Sequence, residues 1–199
     1  MNKTSKQKPE LSLSVQYAKA EPRLPRWRLR AWVQRALDVA HNDLQRSFRG
    51  ATLNVRLVGQ TEAQRLNHAH RKRDYPTNVL TFAYGQQPDG TLIGDIVICV
   101  PVLQREAKEQ GKKFLAHAAH LTLHGTLHAL GYDHLKTREA QHMESLETKI
   151  LAQIGIHDPY LLPYTTTLRQ SGACVTALSG YPRRPITLSL DNVRSPTCC

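Results

Sequence analysis

Three histidines stand close together in the stretch His124-Gly-Thr-Leu-His128-Ala-Leu-Gly131-Tyr-Asp-His134. Residues four apart on a helix share a face one turn apart, so His124 and His128 offer two imidazoles as adjacent metal ligands. Gly131 lets the chain leave the helix through a conformation that a side chain would hinder, and the turn can bring His134 back to the pair. Three neutral imidazoles leave a fourth coordination position for water or substrate, the layout of a catalytic zinc site rather than a closed structural one. Such a site polarises a bound oxygen or lowers the pKa of bound water toward about 7. The competing reading is a histidine-rich helix without metal, since the chain has ten histidines. His41, His68, His117, His120, His142 and His157 are assigned structural or surface roles; His120, on roughly the His124 face, is the one expected to line the site.

The same spacing occurs in the metzincin peptidases, where a glutamate after the first histidine acts as general base. Here that residue is Gly125. The departure argues against a peptidase and for another reaction on a similar metal cradle.

The elements that must position these groups follow from apolar periodicity. Leu11, Leu13 and Val15 alternate as a strand does. After Pro22 and Pro25, Trp27, Ala31, Leu37, Ala40 and Leu44 recur at helical spacing to about residue 47. Arg26, Arg28, Arg30 and Arg35 ride on this helix, mostly as solvated charges, some within reach of a phosphate backbone. Gly50 separates it from a strand at Thr52–Val58. Thr61 and Gln64 read as a capping box opening a helix to about His70. A charged loop, residues 71–77, precedes a strand at Asn78–Tyr84, with Leu80, Phe82 and Tyr84 on one face. Pro88-Asp89-Gly90 is a turn, and Ile93–Val100 is a strand buried on both faces. Pro101 suits the first turn of a short helix ending near Gly111. Lys113–Leu130 is the histidine helix, stopped by Gly131. Thr137 caps a last helix carrying Met143, Leu146, Ile150 and Ile154, which Gly155 stops. The order β-α-β-α-β-β-α-α-α predicts an α+β fold: a mixed four-stranded sheet covered by about five helices, with a metzincin-like metal-site helix.

At 199 residues, 40% hydrophobic and 22% charged, the composition is that of an ordinary globular chain. A net charge of +11 attracts polyanions, nucleic acid first among them. No apolar run approaches the roughly 20 residues of a membrane helix, and residues 1–10 lack the apolar core of a secretory signal, so no membrane partner and a cytoplasmic location are expected. Cys99, Cys174, Cys198 and Cys199 form no CxxC pair; Cys99 reads as a core residue and the last two as exposed. Residues 1–10 are expected to be a flexible tail, 11–160 the functional domain, and 161–199, rich in Thr, Ser, Arg and Pro, a disordered extension.

His-Gly-x-Leu-His-x-Leu-Gly-Tyr-Asp-His resembles the signature of the YbeY family of rRNA maturation endoribonucleases. A second block strengthens the resemblance: Leu66-Asn67, then Arg71-x-x-Asp74-x-Pro76-Thr77-Asn78-Val79-Leu80-Thr81-Phe82, and Gly94-Asp95-Ile96. Met143 and Glu147 fit the helix that follows the histidines. The likeness covers about residues 11–160; Thr81 stands where serine is usual, and the tail beyond Pro163 has no counterpart. It implies an α+β fold binding one zinc ion through His124, His128 and His134. It further implies single-strand-specific RNA cleavage in 16S rRNA 3′-end maturation and ribosome quality control. The implied partners are single-stranded rRNA, the ribosome, a small-subunit ribosomal protein and an Era-type GTPase.

Arg71 matches the family's functional arginine, so the catalytic set is Arg71, His124, His128 and His134. A guanidinium there can brace a phosphate and offset charge in the transition state; its alternative role is to pair with Asp74 and position the loop. Asp133 is an acceptor for a ligand histidine or a cap of the turn. Lys72 and Arg73 extend the positive surface, and Tyr75, Phe82 and Tyr84 can stack on unpaired bases, although core packing suits Phe82 better. Water or the RNA's own 2′-hydroxyl fits as nucleophile, and three imidazoles would also hold nickel, copper or iron. Two other functions compete: a metal-binding ribosome-assembly factor without catalysis, and a zinc peptidase, which Gly125 disfavours.

Overall fold

In the computed structural model, which describes residues 8–43, 47–132 and 136–156, the nine expected elements appear in the expected order. They are β1 (Glu10–Tyr17), α1 (Arg26–His41), β2 (Gly50–Val58), α2 (Gln60–Arg71), β3 (Val79–Gln86), β4 (Thr91–Cys99), α3 (Val100–Glu109), α4 (Phe114–Ala129) and α5 (Thr137–Gln153). All belong to one structural unit, Met1–Pro159. The expectations for Leu44, Asp133, His134, His157, Cys174, Cys198 and Cys199, for most of the N-terminal tail and for the extension 161–199 lie outside the described residues.

The sheet order is β1-β2-β4-β3. β1, β2 and β4 are parallel, and β3 joins β4 antiparallel, so the sheet is mixed. Period-2 alternation divides β4 between two cores: Ile96 and Ile98 face one side, Val97 and Cys99 the other. The larger core lies between the sheet and α1, α4 and α5, with Leu29, Leu37, Leu123, Leu127 and Ile150 fully buried. The smaller lies on the opposite face, where Val58, Ala63, Leu80 and Val102 meet Leu66 and Phe82. α4 is buried almost all round, as a helix hydrophobic on every side must be. Among the described residues no helix is long and apolar enough to cross a membrane.

Small residues let α4 lie close to the sheet. A Cβ on Gly94 would stand 2.8 Å from Ala129 Cβ, and one on Gly125 would stand 2.9 Å from Ile96 Cγ2 and 3.2 Å from Thr81 Oγ1. α4 ends as its glycine predicts. Gly131 takes φ 86°, its N–H donates to His128 O (2.9 Å), and Tyr132 N–H donates to Leu127 O (3.0 Å); this double bond pattern satisfies carbonyls the helix end would orphan.

Four local expectations change. α2 has Gly59 at its N-cap with no side-chain cap bond; Gln64 Nε2 donates instead to Asp74 Oδ1 (2.9 Å), so the capping box is replaced by a loop tether. Thr137 is the first residue of α5 rather than its cap, which is Lys136. Gly50 opens β2 rather than separating elements, and lies so near Glu10 that a Cβ would come 2.5 Å from the Glu10 carbonyl. α1 stops at His41, short of residue 47. Three of its arginines are also not merely solvated: Arg26 donates to Val15 O (3.0 Å) and Arg30 to Leu11 O (3.3 Å), both on β1, and Arg28 donates to the Arg23 carbonyl.

Candidate metal centre

α4 brings His124 and His128 together as the four-residue spacing requires. Their rings lie 4.5 Å apart between centroids at 80°, and the two Nε2 atoms face each other at 3.1 Å. Each remaining ring nitrogen is anchored. His124 Nδ1 donates to Glu147 Oε1 (2.7 Å), and His128 Nδ1 donates to the Tyr132 carbonyl (2.9 Å). An ionised carboxylate and a carbonyl only accept, so both Nδ1 atoms carry hydrogens, and each ring in its neutral form turns an Nε2 lone pair toward one point. Two lone pairs at that separation repel unless a proton or cation lies between them. Two nitrogens held at about 2.0–2.1 Å by a tetrahedral zinc stand about 3.3 Å apart, so the pair fits such an ion. Among the described residues no group of three His, Cys, Asp or Glu side chains is placed to hold a metal. His134, the third expected ligand, lies outside them.

Glu147 on α5 is the residue sequence reasoning undervalued. It is 1% exposed, and its second oxygen accepts from His120 Nε2 (3.0 Å). Burial pushes its pKa up, but the hydrogen bonds it accepts from His120 and His124 outweigh this and hold it below the ordinary carboxylate value. The signal was a carboxylate between Met143 and Ile150, in the stripe of α5 that faces the core. His120 therefore does reach the site, through Glu147, and burial lowers its pKa. His117, one turn earlier, turns elsewhere: its Nε2 donates to Glu106 Oε2 (2.9 Å), which also accepts from Asn78 Nδ2 (3.0 Å). That buried chain ties α4 to α3 and to the start of β3.

The turn behind His128 is clamped. Tyr132, whose carbonyl anchors His128, donates its hydroxyl to Asp43 Oδ2 (2.7 Å), and His142 Nε2 on α5 donates to the same oxygen (2.7 Å). His142 is thus a strut between α5 and the end of α1, rather than a surface residue.

Arg71 is the last residue of α2, which packs against β4 and α3 on the sheet face opposite α4. Lys72 follows with φ 58°, turning the chain out of the helix. Burial, then the neighbouring Arg73 charge, lowers the Arg71 pKa, and a guanidinium stays charged through such a shift. The loop is held by Gln64 on Asp74, by Asn67 Nδ2 on the Tyr75 carbonyl (2.7 Å) and by Arg73 on the Tyr75 hydroxyl (2.9 Å). Tyr75 and Tyr84 are exposed, and Tyr84 donates to Asp95 Oδ2 (2.8 Å). Phe82 packs edge-on against His70, with centroids 4.8 Å apart.

Residues 14–155 match the family model for endoribonuclease YbeY, a span that includes Arg71, His124, His128 and His134. The chain is 66% identical over 154 residues to endoribonuclease YbeY of Bordetella avium, covering 77% of this chain and 96% of that one. It is 68% identical over 152 residues to the Bordetella petrii protein of the same name, covering 76% and 98%. For the Burkholderia lata protein of that name the figures are 50% over 159 residues, 76% and 87%.

Proposed function

Because the chain belongs to the endoribonuclease YbeY family, we propose that it is a single-strand-specific endoribonuclease centred on His124 and His128, with His134 as third ligand of one zinc ion. The observation that carries the metal reading is the pair of Nε2 atoms 3.1 Å apart, each ring already donating from Nδ1. A zinc ion bound there supplies Lewis acidity toward a phosphate oxygen or water. Glu147 fixes the tautomer of His124 and raises the basicity of its Nε2; the Tyr132 carbonyl does the same for His128. Arg71 braces the phosphate and offsets its growing charge. Lys72 and Arg73 hold flanking phosphates, and the exposed rings of Tyr75 and Tyr84 accept unpaired bases.

The biological substrate in this reading is 16S rRNA near its 3′ end, in the cytoplasm, with the ribosome, a small-subunit ribosomal protein and an Era-type GTPase as partners. A peptidase is disfavoured sterically, since the space at Gly125 closes against Ile96, Thr81 and Val79 and admits no general base. The test is metal analysis of protein purified without a nickel column, beside cleavage of single-stranded RNA by wild type, His124→Ala and Arg71→Ala. One zinc per chain and loss of cleavage in both variants is expected. Equal cleavage by all three would assign the activity to a contaminant.

A further inference from the structure

Trp27, in the first turn of α1, is 65% exposed, while Trp32 on the same helix is only 8% exposed. Around it, residues 22–37 contain five arginines and no acid. The Arg28 guanidinium lies 4.8 Å from the Trp27 ring centroid, and Arg28 also donates to the Arg23 carbonyl. Arg23 in turn lies 3.6 Å above the Phe114 ring, fixed by two 2.7 Å bonds to Glu21. Beside them opens a cavity of about 460 Å³ lined by Arg23, Gln104, Ala107, Lys108, Lys112 and Phe114. Glu21 balances Arg23, which leaves Arg28, Lys108 and Lys112 as the cations of a continuous aromatic and basic patch. The patch is remote from the metal centre: Phe114 precedes His124 by ten residues on α4, about 15 Å along the helix axis.

We propose that this patch binds single-stranded RNA outside the cleavage centre, stacking a base on Trp27 and taking phosphates at Arg28, Lys108 and Lys112. An indole face needs an unpaired base, and cations beside it neutralise the strand, which together favour single-stranded over duplex RNA. The identity of the ligand rests on the RNA-cleavage reading; the patch itself does not use the histidines. Its function is to hold sequence flanking the scissile bond, so that long substrates gain affinity that short ones do not.

The chain has two tryptophans and one is buried, so quenching of intrinsic fluorescence reports on Trp27. The experiment titrates end-labelled oligouridines of about 4 and about 20 nucleotides with wild type, Trp27→Ala, Trp27→Phe and Arg28→Ala/Lys112→Ala, reading affinity from the anisotropy of the RNA label and contact with Trp27 from quenching in wild type, with gels confirming intact RNA. The long strand should quench wild type. Trp27→Ala should bind it about fivefold to a hundredfold more weakly, Trp27→Phe should retain most of the affinity, and the double variant should show a shallower salt dependence. Cleavage of the short strand by Trp27→Ala should match wild type, as should its unfolding midpoint. Unchanged affinity for the long strand in Trp27→Ala and the double variant would overturn the proposal. So would unchanged RNA affinity with lost binding to small-subunit ribosomal proteins, which would assign the patch to a protein partner. Quenching by RNA that the zinc-loaded enzyme fails to cut would support the patch and remove the cleavage reading; cleavage of the long strand without quenching would remove the patch alone.

Discussion

Replacing Glu147 separates two duties, holding the core together and, in the proposed zinc site, holding His124 in a ligating tautomer. Glu147→Ala leaves the donors of His120 and His124 facing a space where neither ring is more than 6% exposed. Two orphaned buried donors at about 1–3 kcal/mol each give an expected loss of about 2–6 kcal/mol. Glu147→Gln keeps the shape. Its amide oxygen still accepts from His124, while its NH₂ group forces His120 into the accepting tautomer. Exchanging charged for neutral hydrogen bonds should then cost only about 1–3 kcal/mol. The neutral acceptor makes His124 Nε2 less basic, so zinc affinity should fall about 10–100-fold even in the better-folded variant. Urea unfolding of metal-free protein reads the first quantity, and zinc competition against a chelator reads the second. Glu147→Ala within about 0.5 kcal/mol of wild type, together with wild-type zinc affinity in Glu147→Gln, would refute the reasoning.

Gly125→Ala sets about 1–3 kcal/mol of overpacking against Ile96 against about 1 kcal/mol of helix propensity, for a net loss of up to about 2 kcal/mol in denaturant unfolding; Gly125→Glu should be far more disruptive and gain no peptide hydrolysis. The Glu21 carboxyl is held down to about 2 from its ordinary 4.5, chiefly by the Arg23 hydrogen bond working against burial. A lowered pKa contributes stability that is full above 4.5 and lost as pH falls toward about 2, so Glu21→Gln should flatten the thermal midpoint against pH in that window. Tyr132→Phe removes a hydroxyl bond to the Asp43 carboxylate and should cost about 1.5–3 kcal/mol in urea unfolding, with weaker zinc retention as the His128 anchor loosens.

Much of this arrangement was readable in advance because it depends on spacing. The His124–His128 interval, the glycine stops at Gly111, Gly131 and Gly155, and the alternation in β2 and β4 are local properties that tertiary contacts reinforce. What could not be read is what each polar tip does at a distance. Gln64 has the right interval from Thr61 for a cap, yet its amide reaches Asp74 because the returning loop supplies an acceptor. That loop acceptor also bears on Arg71, whose alternative role was to fix Asp74. The anchor of His128 is a backbone carbonyl, which no residue letter encodes. Glu147 fits the family's helix after the histidines in sequence, but its bonds to His120 and His124 need α4 and α5 packed side by side. The sequence leaves His142 open between a structural and a surface role, and Asp43 at the end of α1, 2.7 Å away, selects the structural one.

The arginines that reach from α1 to β1 bear on how copies of this protein behave together. A bare strand border invites neighbouring molecules to add strands of their own, and chains gathered along one RNA are brought into the crowding that favours it. Arg26 and Arg30 occupy the Val15 and Leu11 carbonyls that an incoming strand would need. They act as fenders on that side of the sheet, so part of the chain's positive charge serves to guard that border against strand addition.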